Sequence, residues 1–166
     1  MLEETALHAR DIMTRNVAVV HPDTTLLDAV RLLSARGISG LPVVDRDGRL
    51  VGMLTEGDLI RWHDGFRDKQ GHWLELLAEG QDLAPNFLQA ILDENRKVKA
   101  VMTQGAITVP EDMPAADIAK LMHERDIKRV PVVHDGRIVG IVTRADLVRA
   151  LAQSLDAAEA KRSKRS

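Results

Sequence analysis

Two Thr-x-x-Asp elements carry the residue types that could do chemistry: Thr55 with Asp58, and Thr143 with Asp146. Each element follows an apolar run and begins a helical pattern, so we expect it at a junction between a strand and a helix. A carboxylate placed there can accept hydrogen bonds from both hydroxyls of a vicinal diol such as ribose, and a helix N-terminus favours anions. The same spacing is an ordinary capping box, which the local pattern alone favours.

Composition excludes several classes of protein. The 166 residues are 45% hydrophobic and 29% charged, as in soluble globular proteins, and they include no cysteine for disulfides, thiolate catalysis or metal binding. No signal peptide or membrane-spanning run is visible, so we expect a cytoplasmic protein. The first 160 residues hold 19 basic and 25 acidic residues, and their net charge of −6 gives no general reason to bind nucleic acid.

The chain contains two copies of one sequence unit. Residues 13–61 align with residues 102–149 at an offset of 89, which becomes 88 after a one-residue deletion at Asp47. Identical pairs include Met13 and Met102, Thr14 and Thr103, Pro42 and Pro131, Gly52 and Gly140, Thr55 and Thr143, Asp58 and Asp146, and Arg61 and Arg149. An internal duplication therefore organises the fold.

Each copy predicts the element order β-α-β-β-α. A short β-rich run (residues 16–20 or 106–109) precedes an amphipathic helix, two strands flank an Asp-Gly turn, and a Thr caps the second helix. Proline is expected only at the start of the second strand. The apolar faces predicted for the first helices are Leu26, Ala29, Val30 and Leu33, and Ala115, Ile118, Ala119 and Met122.

The predicted fold class is α/β of the α+β type, with two pseudosymmetric repeats packed together. We assign residues 11–62 to repeat 1, 63–99 to a helical insert, 100–152 to repeat 2, and 153–166 to a basic, disordered tail. One small sheet has a single apolar face, so the repeats should stack and leave clefts where they meet, and ligands favour such junctions.

The repeats resemble a tandem pair of cystathionine beta-synthase (CBS) domains. The runs DIMT and GMLTEGDLIR in repeat 1, with AVMT, RVPVV and GIVTRADLVR in repeat 2, carry the resemblance over about residues 11–152. The insert, with its WLELL run, resembles bacterial proteins in which such a pair precedes a small BON domain, and no such sequence follows here.

The resemblance implies a regulatory module, usually a homodimer, that binds AMP, ADP, ATP, S-adenosylmethionine or sometimes NAD in its clefts and modulates a regulated protein. It does not imply an enzyme, and no nucleophile and base pair or Gly-rich phosphate loop is visible.

Apolar residues on the helices after the hairpins also favour a homodimer. These are Leu59, Ile60, Leu147, Val148 and Leu151. The alternative is a structural dimerisation or partner-docking module that binds no nucleotide.

The resemblance favours ribose contact by Asp58 or Asp146, whose carboxylates have no other evident partner in the sequence. Thr14 and Thr103 occupy the resembled loop position before the first strands and are candidate ligand contacts, although either could simply end a turn. An apolar slot for adenine could come from residues that are otherwise ordinary core. These candidates are Val17, Ala18, Ile38, Pro42, Ala106, Ile107, Ile127 and Pro131.

Phosphate needs a cation, and the two copies differ in the cations that they offer. Three basic residues of repeat 2 stand where repeat 1 has a serine, a glycine and a glutamate. These positions are Lys128, Arg129 and Arg144 against Ser39, Gly40 and Glu56. The resemblance implies that basic residues before the second strand reach phosphates across the cleft, so Lys128 and Arg129 could bind the phosphate of a nucleotide whose ribose is held by Asp58. The alternative is that both are solvated side chains at a strand edge.

A metal site is disfavoured. His63 and His72, near Asp64 and Asp68, lie nine residues apart, which does not match the i, i+3 or i+4 spacing of helical ligand pairs. We therefore expect solvated side chains there and no metal.

Overall fold

The structure, a computed structural model, describes residues 6–59, 61, 91–93 and 96–165. It divides into two compact units. The central unit is Ala18–Ala106, and the terminal unit combines Met1–Val17 with Ile107–Ser166. The first residues of repeat 1 therefore belong with repeat 2, and the first residues of repeat 2 belong with repeat 1.

The central unit is a three-stranded antiparallel sheet with one helix before it. Its elements are α2 (Leu26–Arg36), β1 (Gly40–Val44), β2 (Leu50–Thr55), a 3-10 turn (Val98–Ala100) and β3 (Thr103–Gln104). The strand order is β1-β2-β3, and a parallel bridge from Val20 to Val43 adds the only ladder contact of the expected first strand among the described residues.

The terminal unit has the same plan with different connections. After a short helix α1 (Ala9–Ile12), its elements are β4 (Val109–Pro110), α3 (Ala115–Glu124), β5 (Arg129–His134), β6 (Arg137–Thr143) and α4 (Arg144–Ser163). Strand β4 pairs with β5 in parallel and β5 pairs with β6 antiparallel. Thr14 forms an antiparallel bridge with Ile141 of β6, in the place that β3 takes on β2.

The predicted amphipathic helices form, and their apolar faces build the two cores. Leu26, Ala29 and Leu33 of α2 are buried in the core of the central unit, with Val30 partly buried against it. In the terminal unit Ile118 and Met122 of α3 are buried, but Ala119 is exposed, so its predicted burial was wrong. Partly buried Leu121 packs there instead.

Both Asp-Gly positions form turns, as predicted. In the terminal unit Asp135 and Gly136 have φ values of 51° and 78°, which match the two left-handed positions of a type I′ hairpin. The longer loop in the central unit is organised by the Asp45 carboxylate, which accepts hydrogen bonds of 2.9 Å from the Asp47 and Arg49 amides.

The two prolines correct one expectation. Pro42 and Pro131 are the third residues of β1 and β5, not the first. The Pro42 carbonyl accepts a hydrogen bond from the Val20 amide, so the Pro42 nitrogen faces the same neighbouring segment. That segment pairs with β1 only through the isolated bridge from Val20 to Val43. No ladder hydrogen bond is lost there, which explains why a proline inside the strand is tolerated.

Helix α4 corrects another expectation, because residues 153–163 of the tail predicted to be disordered are helical. Its capping box starts the helix, and all residues from Leu151 to Arg165 are exposed.

No helix in the described part of the chain has the length and apolar character needed to cross a membrane.

Candidate functional site

The first candidate site lies where β2 ends and a helix begins at residue 56. Oδ2 of Asp58 accepts hydrogen bonds from the Thr55 amide at 2.8 Å and the Thr55 hydroxyl at 3.1 Å. Its Oδ1 accepts from the Arg61 guanidinium and, at 2.6 Å, from the Thr103 hydroxyl. Asp58 is only 4% exposed, so the chain itself satisfies a buried carboxylate.

The second candidate site repeats this geometry at the junction of β6 and α4. Oδ2 of Asp146 accepts from the Thr143 amide at 2.8 Å and the Thr143 hydroxyl at 3.1 Å. Oδ1 accepts from Arg149 at 2.8 Å and from the Thr14 hydroxyl at 3.3 Å. Asp146 is 2% exposed. Each Thr-x-x-Asp element therefore works as a capping box with two additional partners on the second oxygen.

These contacts correct the expectation that the two aspartates have no other evident partner. The arginine was within reach of sequence reasoning, because Asp58 and Arg61, like Asp146 and Arg149, are three residues apart on one helix face in both copies. The threonine partner could not be predicted from the sequence, because the aspartate of each repeat binds the hydroxyl of the Met-Thr run of the other repeat.

The Gly of each Gly-x-x-Thr-x-x-Asp motif makes room for that Met-Thr run. A Cβ on Gly52 would lie 2.5 Å from the Thr103 carbonyl oxygen. A Cβ on Gly140 would collide with the side chain of Met13, which is buried in the core of the terminal unit. The two most recognisable motifs of the repeat are thus partners in space, one from each copy.

The apolar candidates for an adenine slot divide into core and surface residues. Pro42 is fully buried and Pro131 is buried, so neither offers surface to a ligand in this structure. Ile38 is 39% exposed and Ile107 is 36% exposed, so both present apolar surface to solvent. The remaining candidates are partly buried: Val17, Ala18, Ala106 and Ile127.

The cationic candidates lie next to Thr143 in the terminal unit. Arg129 is the register partner of Thr143 across β5 and β6, and the Arg144 amide donates to the Lys128 carbonyl at 3.3 Å. Arg144 forms a 3.8 Å ion pair with Asp126, and its side chain is 59% exposed. At the matching position of the central unit the Glu56 amide donates to the Ser39 carbonyl at 3.0 Å, so an acid stands there.

The metal prediction falls largely outside the described residues, since His63, Asp64, Asp68 and His72 are not among them. Within the part of the chain that the structure describes, no three His, Asp or Glu side chains are grouped to hold a metal ion.

Comparison with known proteins matches both repeats. The family model for the CBS domain covers residues 9–65 and 98–153. An uncharacterized protein of Methanocaldococcus jannaschii is 36% identical over 151 residues, which span 86% of this chain and 89% of that protein.

Two similar solved structures contain adenosine compounds. The complex of CBSX2, an Arabidopsis thaliana protein, with AMP has a TM-score of 0.67 and 30% identity, over 88% of this chain and 96% of that one. The CBS domain pair of protein MJ0100 with 5-methylthioadenosine and S-adenosylmethionine has a TM-score of 0.65 and 27% identity, over 90% and 98% of the two chains.

Proposed function

Because this chain belongs to the CBS domain family, we propose that it is a regulatory module that binds adenosine-containing ligands at its Thr-x-x-Asp elements and is not an enzyme. The observation that carries the proposal is the pair of buried carboxylates, Asp58 and Asp146, each held at the start of a helix. The complexes of similar proteins with AMP and with S-adenosylmethionine support the same class of ligand.

Each site would use one carboxylate for the ribose and an exposed isoleucine for the base. A ribose diol can bind to Asp58 or Asp146 through Oδ1. The aspartates are buried, but the arginine and threonine that bind each Oδ1 are exposed, so a ligand can reach this atom from solvent when one of them moves. Ile38 in the central unit and Ile107 in the terminal unit offer apolar surface for adenine. Fold similarity alone would be weak support, so the proposal depends on these residues.

Charge should make the two units prefer different ligand tails. Three basic residues lie close to Thr143 along the backbone of the terminal unit, and their charge would favour a phosphate there. These are Arg129, its register partner, Arg144, the next residue, and Lys128, whose carbonyl accepts from the Arg144 amide. Glu56 at the matching position of the central unit would repel a phosphate. We therefore propose a phosphorylated ligand in the terminal unit and an adenosyl compound with a neutral or cationic tail in the central unit. The alternative drawn from the sequence, in which Lys128 and Arg129 bind the phosphate of a ligand on Asp58, would instead place the phosphorylated ligand in the central unit.

Thermal denaturation with AMP, ADP, ATP, S-adenosylmethionine, NAD and adenosine tests this function. A ligand present at 100 times its dissociation constant adds about 2.7 kcal/mol to the free energy of unfolding, which raises the midpoint by several degrees. Guanosine and GMP serve as controls for the base. Failure of all adenosine compounds at millimolar concentration to shift the midpoint would contradict the proposal.

The second candidate is a dimerisation or partner-docking module without a nucleotide. One observation favours it: all four hydrogen-bonding positions of both carboxylates are already filled from within the chain. A protein that forms a dimer in solution and shows no response to any adenosine compound would have this second function.

A further inference from the structure

The Thr103 hydroxyl holds the position on Asp58 that a ligand hydroxyl needs. Oδ2 of Asp58 is used by the helix cap, and Oδ1 is used by Arg61 and Thr103. A carboxylate offers about four acceptor positions, so a ribose diol cannot bind until one of these donors leaves.

The four donors are not equally replaceable. The two from Thr55 satisfy the beginning of the helix, and their loss would cost a cap. Arg61 balances the charge of a buried carboxylate, and its departure would leave that charge uncompensated. The Thr103 hydroxyl is neutral and chemically equivalent to a sugar hydroxyl, so a ribose can replace it without a change in charge.

The segment that carries Thr103 is also the least firmly attached strand of its sheet. Strand β3 pairs with β2 through only two residue pairs, Gly52 with Gln104 and Met53 with Thr103, and both β3 residues are exposed. A short, exposed strand is the kind of element that opens locally at low free-energy cost. Displacement of the Thr103 hydroxyl therefore needs no disruption of the core.

We propose that Thr103 and Thr14 are internal competitors of the ligand: each hydroxyl occupies Oδ1 of its aspartate in the free protein and is displaced by a ribose hydroxyl. This inference rests on the proposed function and adds a control on affinity to it. It also predicts unequal sites, because the Thr103 hydrogen bond to Asp58 is 2.6 Å long and the Thr14 hydrogen bond to Asp146 is 3.3 Å long. The central unit should therefore be the more strongly closed site.

Removal of one hydroxyl tests the competition directly. Thr103→Val keeps the shape of the side chain and should tighten adenosine binding at Asp58 roughly three- to tenfold, as expected when one hydrogen bond no longer has to be broken. Thr103→Ser keeps the hydroxyl and should bind like the wild type. Thr14→Val should tighten binding at Asp146 instead, by a smaller factor.

Adenosine titrations followed by NMR of the threonine methyl groups resolve the two sites. Thr55 reports on Asp58 and Thr143 reports on Asp146, so each variant yields a dissociation constant for both. In the wild type the Thr103 methyl signal should move with the same dissociation constant as that of Thr55, a response that a purely structural threonine would not give.

The outcomes separate this inference from the function on which it rests. If adenosine binds to the wild type and Thr103→Val binds it equally or more weakly, threonine is structural or contacts the ligand, and the competition is refuted while the function stands. If neither the wild type nor any variant binds an adenosine compound, the proposed function fails and the competition fails with it.

Discussion

The carbonyl oxygen of Thr103 lies 2.5 Å from the point where a Cβ on Gly52 would stand. The glycine is therefore a packing requirement of strand β3, and its counterpart Gly140 meets the side chain of Met13 in the same way. The two obstacles differ in kind, because the Thr103 oxygen can move away only if β3 leaves β2, whereas the outer atoms of the Met13 side chain can rotate. This difference leads to a quantitative prediction.

Gly52→Ala should lower the free energy of unfolding by about 2–3 kcal/mol, because relieving its clash detaches β3 and the Thr103 hydrogen bond to Asp58. Gly140→Ala should cost about 1 kcal/mol, because the Met13 side chain can rotate in part. Urea denaturation measures both. Gly57→Ala is the matched control, since the nearest atom to its added Cβ is 3.4 Å away and alanine favours the helix. Equal losses at Gly52 and Gly140 would contradict the assigned cause.

Asp146→Ala should lower both stability and ligand affinity. Loss of the cap should cost about 1–2 kcal/mol of unfolding free energy, and loss of the ribose partner about 1.5–3 kcal/mol of binding free energy. Calorimetry with AMP and a thermal melt measure the two effects. Asp117→Ala, which changes an exposed acid in the first turn of α3, is the control. A variant with a lower melting temperature and full affinity would reduce Asp146 to a capping residue.

Lys128→Glu combined with Arg129→Glu should weaken AMP binding far more than adenosine binding, because only AMP carries a phosphate. The preference of the wild type for AMP over adenosine should also shrink as salt rises. Competition binding at two salt concentrations measures both. Equal loss of AMP and adenosine would indicate damage to the base site or the fold, and loss of neither would show that the pair is an exposed strand edge.

We expect a homodimer, but through a surface narrower than the sequence suggests. Leu59 is buried and Leu147 packs against the core, whereas Ile60 lies outside the described residues. The exposed side chains are Val148, Leu151 and Leu155, at 67%, 59% and 57%, on one face of α4.

Leu151→Lys with Leu155→Lys should convert the dimer to a monomer near 18.3 kDa in light scattering, because charges would enter its apolar contact. Gln153→Lys, on the opposite face of the helix at 100° per residue, should leave the dimer intact. A wild-type mass near 18.3 kDa at every concentration would contradict the dimer itself.

Local patterns predicted the local structure. The spacing of Leu26, Ala29 and Leu33 predicted α2, and the Asp-Gly pairs predicted both turns, because these features depend on neighbours in sequence. The bond from Thr14 to Asp146 joins residues 132 positions apart, and no periodicity encodes such a contact. The duplication predicted a different arrangement, in which each Met-Thr run packs within its own repeat. Only the tertiary structure reveals the exchange.

The exchange also dictates an order of folding during synthesis. The central unit is continuous from Ala18 to Ala106 and can fold once that stretch has left the ribosome. Residues before Val17 find their sheet only after β6 and the start of α4 have been made, several seconds later at about 5–20 residues per second. Until then Ile12 and Met13, buried in the finished terminal unit, are exposed to water and to chaperones. Closure of the terminal unit, which joins the segments before and after the central unit, is therefore the late step of folding, and its loop-closure entropy is greater than that of the continuous central unit.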